Sequence, residues 1–279
     1  TLFRSHVNKG SIFGIIGENG AGKTTLIKCL AGIYRVNGGC ILIEGEEVFD
    51  NNRVKQIIGY VSDENQYFSS FRVSQLLRFY KKAYDNFSQE RFEELNKKFK
   101  IPLELRVREL SKGMKMRTAI LLNLSLRPDI LILDEPTSGL DAVIKKAIMS
   151  IIVDEVASRG VTVFISSHQI DHIERICDNI AIIKNGSIKL MSSMEDAKNS
   201  IKKIQVVFKD TSDIFKELSC LEGVIKVETM GRVSYIVTRN YTKDLERKIY
   251  GLGAEFIETV DMSFEDMFIY FVEEEDKNE

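Results

Sequence analysis

The chain has 279 residues, 44% hydrophobic and 29% charged, and its 39 basic and 41 acidic side chains leave a formal net charge of −2. At roughly 150 residues per domain that length is one large domain or a large one with a smaller companion, and the composition excludes disordered, collagen-like and membrane-spanning chains. Near-neutrality argues against a protein that coats nucleic acid, whose affinity comes from clustered Lys and Arg. Cys29, Cys40, Cys177 and Cys220 lie far apart with no C-x-x-C pair, which points to reduced thiols and away from a zinc site or disulfide framework. No run reaches the ~18 to 20 apolar residues of a membrane helix, and the start lacks a signal-peptide layout. The first residue is Thr1, so the natural N-terminus is expected to lie upstream.

Apolar residues at 12–16 predict a short buried strand, followed by a glycine-rich turn and a helix over 23–31 that stops at Gly32. Residues 40–43 and 47–49 read as a hairpin turning at Gly45. Over 73–127 apolar residues recur at helical spacing, with Leu76, Leu77 and Tyr80 on one face, which predicts an all-helical insert. The runs 130–133 and 161–165 restore the strand signal around a long helix ending near Gly160. Asn185-Gly186 between two strand-like runs is a type I′ hairpin signal. This alternation predicts an α/β fold with a mainly parallel sheet, β hairpins and a helical subdomain. Beyond residue 200, strands at 204–208, 224–227, 233–237 and 255–260, a helix at 244–252 and an amphipathic helix at 264–271 predict a small α+β accessory domain with an acidic tail. The expected domains are 1–200 and 201–279.

Gly17-Glu18-Asn19-Gly20-Ala21-Gly22-Lys23-Thr24 fits G-x-x-x-x-G-K-[ST] between a strand and a helix. Glycines let successive backbone N–H groups wrap phosphate oxygens while the helix presents its positive end. Gly17, Asn19, Gly20, Ala21, Gly22, Lys23, Thr24 and Thr25 are thus the expected nucleotide-binding residues, Lys23 reaching the β- and γ-phosphates and the Thr24 hydroxyl holding Mg²⁺. Ile130-Leu131-Ile132-Leu133-Asp134-Glu135 delivers two carboxylates to the C-terminal edge of a sheet, where open α/β sheets bind ligands. Asp134 suits Mg²⁺, and Glu135 suits a general base for the attacking water. His168 and His172 stand at i, i+4, but no flanking carboxylate pattern supports a metal pair; His6 reads as a bystander near the first strand, and Phe3 and Phe13 as core residues.

Leu110-Ser111-Lys112-Gly113-Met114-Lys115, ahead of a helical run, closely resembles the LSGGQ-type signature of ATP-binding-cassette (ABC) ATPases. Taken alone, Ser111 is an ordinary N-cap. Ser138-Gly139-Leu140-Asp141 resembles the family's D-loop, and Ser166-Ser167-His168 its switch histidine. The resemblance covers roughly residues 1–200 and implies a P-loop NTPase cassette that works as a head-to-tail dimer, each ATP held between one P-loop and the partner's signature. It implies that Glu135 is the base, that His168 contacts the γ-phosphate, that Ser111 and Gly113 serve the partner's ATP, and that Asp141 signals across the interface. Two positions depart from the pattern. In Ile58-Gly59-Tyr60-Val61-Ser62-Asp63 an aspartate stands where the family usually has glutamine, and Gln66 comes three residues late. Asp63 is accordingly a candidate Mg²⁺ residue, with Gln66 the competitor. The adenine-stacking aromatic of the family falls ahead of the present start.

The resemblance implies an ATPase subunit of an ABC transporter, partnered by a second cassette and a separate transmembrane permease, with no direct nucleic-acid contact, at the cytoplasmic face of the membrane. The signature wording and the extra C-terminal domain are similar to bacterial drug, bacitracin or sodium exporter cassettes, so export is the expected direction. The alternatives are a soluble ABC ATPase acting on ribosomes or nucleic acid, and a nucleotide-sensing regulatory subunit; Glu135 argues against the latter.

Overall fold

The first predicted strand, β1 (Ile12–Ile16), is buried at all five positions, as required of a strand covered by helices on both faces of a parallel sheet. The computed structural model describes residues 6–63, 69–209, 214–239 and 241–273; Phe3, Gln66 and the tail beyond 273 lie outside the described residues. The chain divides into two units, Thr1–Met191 and Ser192–Glu279.

In the first unit the strands after β1 are β2 (Leu42–Ile43), β3 (Glu46–Glu47), β4 (Ile58–Val61), β5 (Ile130–Asp134), β6 (Thr162–Ser167), β7 (Asn179–Lys184) and β8 (Ser187–Ser193), whose last residues cross into the second unit. Its helices are α1 (Lys23–Leu30), α2 (Asn52–Gln56), α3 (Val73–Ala83), α4 (Gln89–Phe99), α5 (Lys112–Ser125), α6 (Ala142–Arg159) and α7 (Ile170–Ile176). The main sheet runs β4-β5-β6-β1-β7-β8, parallel from β4 to β7. Asn185 (φ 50°) and Gly186 (φ 73°) make the predicted turn from β7 to β8, and Glu44 (φ 51°) and Gly45 (φ 83°) turn the small β2–β3 hairpin. Phe13 is a core residue, tilted against Phe164 at 5.8 Å between ring centres. Gly14 is held by packing: a Cβ there would lie 2.6 Å from the Ile173 side chain on α7. One expectation needs correction. Ser166 and Ser167 do not follow the strand but complete it, because β6 extends to pair Ser166 with Asp134 and Ser167 with Ile16.

The second unit comprises α8 (Met194–Ser200), β9 (Ile201–Phe208), α9 (Ile214–Ser219), β10 (Val224–Met230), β11 (Val233–Arg239), α10 (Lys243–Gly251), β12 (Ala254–Val260) and α11 (Phe264–Glu273). Its antiparallel sheet is ordered β10-β11-β9-β12. Ile204, Val206, Ile236 and Val227 on one face share a core with Leu218 of α9 and Leu245 and Ile249 of α10. The sequence reading missed α8 and α9, which are short, and placed the domain boundary after α8 where the structure assigns α8 to the second unit. α8 is started by Ser193, whose hydroxyl accepts from the Asp196 N–H at 3.0 Å. Among the described residues no helix is long and apolar enough to cross a membrane.

The stretch 73–127 is helical as expected, and its last helix packs on α4 and also against β4. α5 is buried throughout 118–125, and Asn123 on it accepts a 3.0 Å hydrogen bond from the Tyr60 N–H of β4. A second tie is ionic. Glu155 on α6, 1% exposed, receives Arg91 from α4 and, at 2.9 Å, Arg159 one turn along its own helix. Arg159 also donates to the carbonyls of Arg127 and Pro128 just after α5. Removing one member of such a buried group leaves charges uncompensated, at a cost of about 3 kcal/mol or more. Glu155→Ala should therefore lower folding stability by about that amount in urea titrations, while Glu94→Ala, which removes only the exposed partner of Arg91, should leave the midpoint nearly unmoved.

Candidate nucleotide site

β1 ends at Ile16, and the chain turns at once into the predicted phosphate loop. A Cβ on Gly17 would sit 2.4 Å from the Ile183 carbonyl oxygen, so the loop can start only on glycine. Gly20 (φ 84°) and Gly22 (φ 106°) adopt the left-handed conformations that curl it. α1 then begins at Lys23 with Gly22 as N-cap and no side chain closing its first turn, which leaves backbone N–H groups and the helix dipole to an anion. Ala21 is buried, Asn19 and Gly20 are exposed at the loop, and Thr24 and Thr25 are exposed on the first turn of α1. Lys23 is 6% exposed, and its ammonium donates to the carbonyls of Gly17 at 2.8 Å and Glu18 at 3.1 Å.

The two acids reach the same edge of the sheet on β5. Asp134 is 1% exposed; its Oδ1 accepts from the Ser166 hydroxyl at 2.6 Å, and its buried Oδ2 has no hydrogen-bond partner among the described residues. Glu135 takes a left-handed φ of 49°, a conformation that costs a side-chain-bearing residue about 1 kcal/mol or more. Ser166 holds it there, because the Glu135 N–H donates to the Ser166 Oγ at 3.0 Å. The Glu135 carboxylate spans two partners: Oε1 lies 3.5 Å from the Lys23 ammonium, and Oε2 lies 2.8 Å from Nδ1 of His168. Lys23, Glu135 and His168 thus meet at one edge with Asp134 beside them; Ser166, to which the sequence reading gave no role, touches both acids. Its signal was a hydroxyl at the end of a β-branched run, which only the strand register turns into a support for the acids. His172 lies apart from this group on α7, its imidazole pKa held below the ordinary histidine range by burial and by Lys145; His6 is exposed ahead of β1.

The unpartnered Asp134 Oδ2 is the kind of hard, anionic oxygen that a divalent cation satisfies. Among the described residues no group of three or more His, Cys, Asp or Glu is arranged to hold a metal. A single such oxygen fits Mg²⁺, which keeps few protein ligands and takes the rest from phosphates and water.

The remaining predicted residues form a second group. Ser111 is the N-cap of α5, accepting from the Met114 N–H at 3.2 Å, and Asp141 is the N-cap of α6, accepting from the Ile144 N–H at 3.0 Å. Gly113 faces the loop before α6: a Cβ there would lie 3.1 Å from the Leu140 side chain. Asp63, two residues beyond β4, has Oδ1 3.9 Å from the Lys112 ammonium. Lys112 is a residue the sequence reading did not single out. Among the described residues no hydrogen bond or ion pair joins Ser111 or Gly113 to Lys23 or Glu135.

Comparison with known proteins places the chain by family and fold. The family model for the ABC transporter matches residues 3–138. The ABC transporter ATP-binding protein YtrB of Bacillus subtilis is 35% identical over 202 residues, covering 72% of this chain and 69% of its own length. The methionine import ATP-binding protein MetN of Protochlamydia amoebophila is 33% identical over 189 residues, covering 64% of this chain and 55% of its own. A solved ATP-binding subunit of an ABC transporter superposes with a TM-score of 0.63 at 28% identity over 68% of this chain and 81% of that one. The dimeric, ADP- and Pi-bound post-hydrolysis cassette MJ0796 shares the fold with a TM-score of 0.62 at 21% identity, over 68% of this chain and 88% of that one. With a phosphate loop, a strand-borne acid pair and a signature-capped helix in one cassette fold, the chain belongs to the ABC transporter family, as one of its ATP-binding, ATP-hydrolysing proteins.

Proposed function

We propose that this chain powers a separate transmembrane permease by closing, with a second cassette, around two ATP molecules in a head-to-tail dimer. The observation that carries the reading is the placement of Glu135, set in a left-handed turn by Ser166 with one oxygen toward Lys23 and the other on His168. The N–H groups of 19–25 and the Lys23 ammonium are assigned to the β- and γ-phosphates, and Thr24 and Asp134 to Mg²⁺, which would offset phosphate charge. Glu135 accepts the proton of the attacking water. His168 fixes the carboxylate through Nδ1 and has its other ring nitrogen for the γ-phosphate. Ser111 and Gly113 at the start of α5 are assigned to the partner's γ-phosphate, and Asp141 to signalling across the interface. Asp63 stands two residues beyond β4, the strand beside β5, and is our further candidate toward Mg²⁺. The dimeric state recorded for MJ0796 supports the pairing.

The relatives named above are transporter ATP-binding proteins, which favours this reading over a ribosome- or nucleic-acid-acting ATPase. Export remains our reading of direction, from the signature wording and the second unit; the likeness to methionine import proteins is the observation against it. We place the chain at the cytoplasmic face, held there by the permease.

Glu135→Gln keeps the shape of the base but not its proton affinity, and loss of a general base costs about 10²- to 10⁴-fold. The variant should bind ATP, lose hydrolysis on that scale and accumulate as an ATP-bound dimer in size-exclusion chromatography; a monomer that binds ATP would oppose the sandwich. Lys23→Ala should instead weaken nucleotide affinity in a titration with fluorescent ATP, and unchanged affinity would remove Lys23 from the phosphate site. Ser111→Arg should leave ATP binding by the monomer intact but block dimerisation. Mixed with Lys23→Ala chains it should regain part of the activity through one complete composite site.

A further inference from the structure

Asp63 and Lys112 carry opposite charges within two of the motifs: an acid where glutamine is usual, and the lysine of the Leu110-Ser111-Lys112-Gly113 signature. The structure brings them together, with Asp63 Oδ1 3.9 Å from Lys112 Nζ. Lys112 also reaches the Ser138 hydroxyl at 3.5 Å, and its stem lies against Gly139, whose added Cβ would be 3.4 Å from Lys112 Cδ. One side chain therefore ties the segment after β4, the first turn of α5 and the loop before α6.

We propose that Asp63 and Lys112 form an exchangeable ion pair linking the two composite ATP sites of the dimer. The proposal rests on the head-to-tail reading above. In that arrangement Asp63 belongs to the site built on its own subunit's phosphate loop, whereas Lys112 sits between Ser111 and Gly113, which complete the partner's site. The pair thus runs from one site to the other within a single chain. Lys112 is a positioning residue: held by Asp63 and Ser138, it fixes the stance of the α5 N-terminus that meets the partner's nucleotide. The pair suits exchange because it is partly solvated, with side chains 38% and 60% exposed. Such pairs shift an equilibrium by only about 1.5- to fivefold, and a divalent cation arriving with nucleotide competes for the same carboxylate.

Mixed dimers purified through two different tags test the link. When one chain carries Lys23→Ala, the single competent site consists of the other chain's phosphate loop and the Lys23→Ala chain's signature. Adding Asp63→Asn to the Lys23→Ala chain changes a subunit whose own phosphate loop is disabled. It should nevertheless lower kcat at the competent site two- to fivefold with little change in KM for ATP. Lys112→Gln in the same chain should do the same, and the two together should do no more than either alone. Lys112→Gln in the other chain, whose signature faces the disabled site, should have little effect. The link is overturned if Asp63→Asn in the Lys23→Ala chain leaves kcat unchanged, or if the two changes multiply. Mixed dimers that form but show no activity before either change is added would instead overturn the head-to-tail reading itself.

Discussion

Three parallel strands that end level with one another set the chemistry of this cassette. Ile16 on β1 pairs with Ser167 on β6, and Ser166 pairs with Asp134 on β5. The next residue of each strand is then Gly17, His168 or Glu135, so the glycine-rich loop, His168 and Glu135 leave the sheet at one edge. Burial enforces the register: Ile15, Ile16, Leu133 and Ile165 are each no more than 1% exposed, and each such side chain contributes roughly 1.5–3 kcal/mol that a slipped strand would forfeit. Site geometry is thus a by-product of core packing.

At that edge the charges are arranged to stay useful without being free. The Lys23 ammonium, almost wholly buried, is met by two loop carbonyls and the Glu135 carboxylate, so its desolvation is offset by acceptors. A phosphate presented to the loop would draw on the same ammonium, and Glu135 would keep His168 as its hold. Asp134 is bound at one oxygen by Ser166 and carries its second oxygen unpaired in the interior, an expense that a bound cation removes. The two acids are neighbours in sequence yet meet different partners because the chain takes a left-handed turn at Glu135.

What the sequence made legible was whatever local pattern encodes. The phosphate loop, the apolar run ending in two acids, Asn185-Gly186 and Gly160 each carry their geometry in residue type and spacing, and each stands where it was read. Less legible were features that arise only when distant segments meet. Ser166 looks like a loop residue until β6 is paired with β5, and the left-handed φ of Glu135 has no local signal, since glutamate is not a residue that favours it. Lys112 reads as a signature variant, and its meaning appears only beside Asp63. α8 and α9 were missed because seven and six residues hold too little periodicity to register. The contact of α5 with β4 was not legible either, because burial against a strand leaves the same apolar pattern as burial among helices.

The central claim is that each ATP is shared between the phosphate loop of one chain and the signature of the other. An ATP analogue with a photoreactive group on the γ-phosphate tests it directly, using dimers of an isotopically light competent chain and a heavy chain carrying Lys23→Ala. After illumination and mass analysis of peptides, label on the 111–113 segment should fall on the heavy chain while label around Lys23 falls on the light one. Both labels on the light chain would contradict the account.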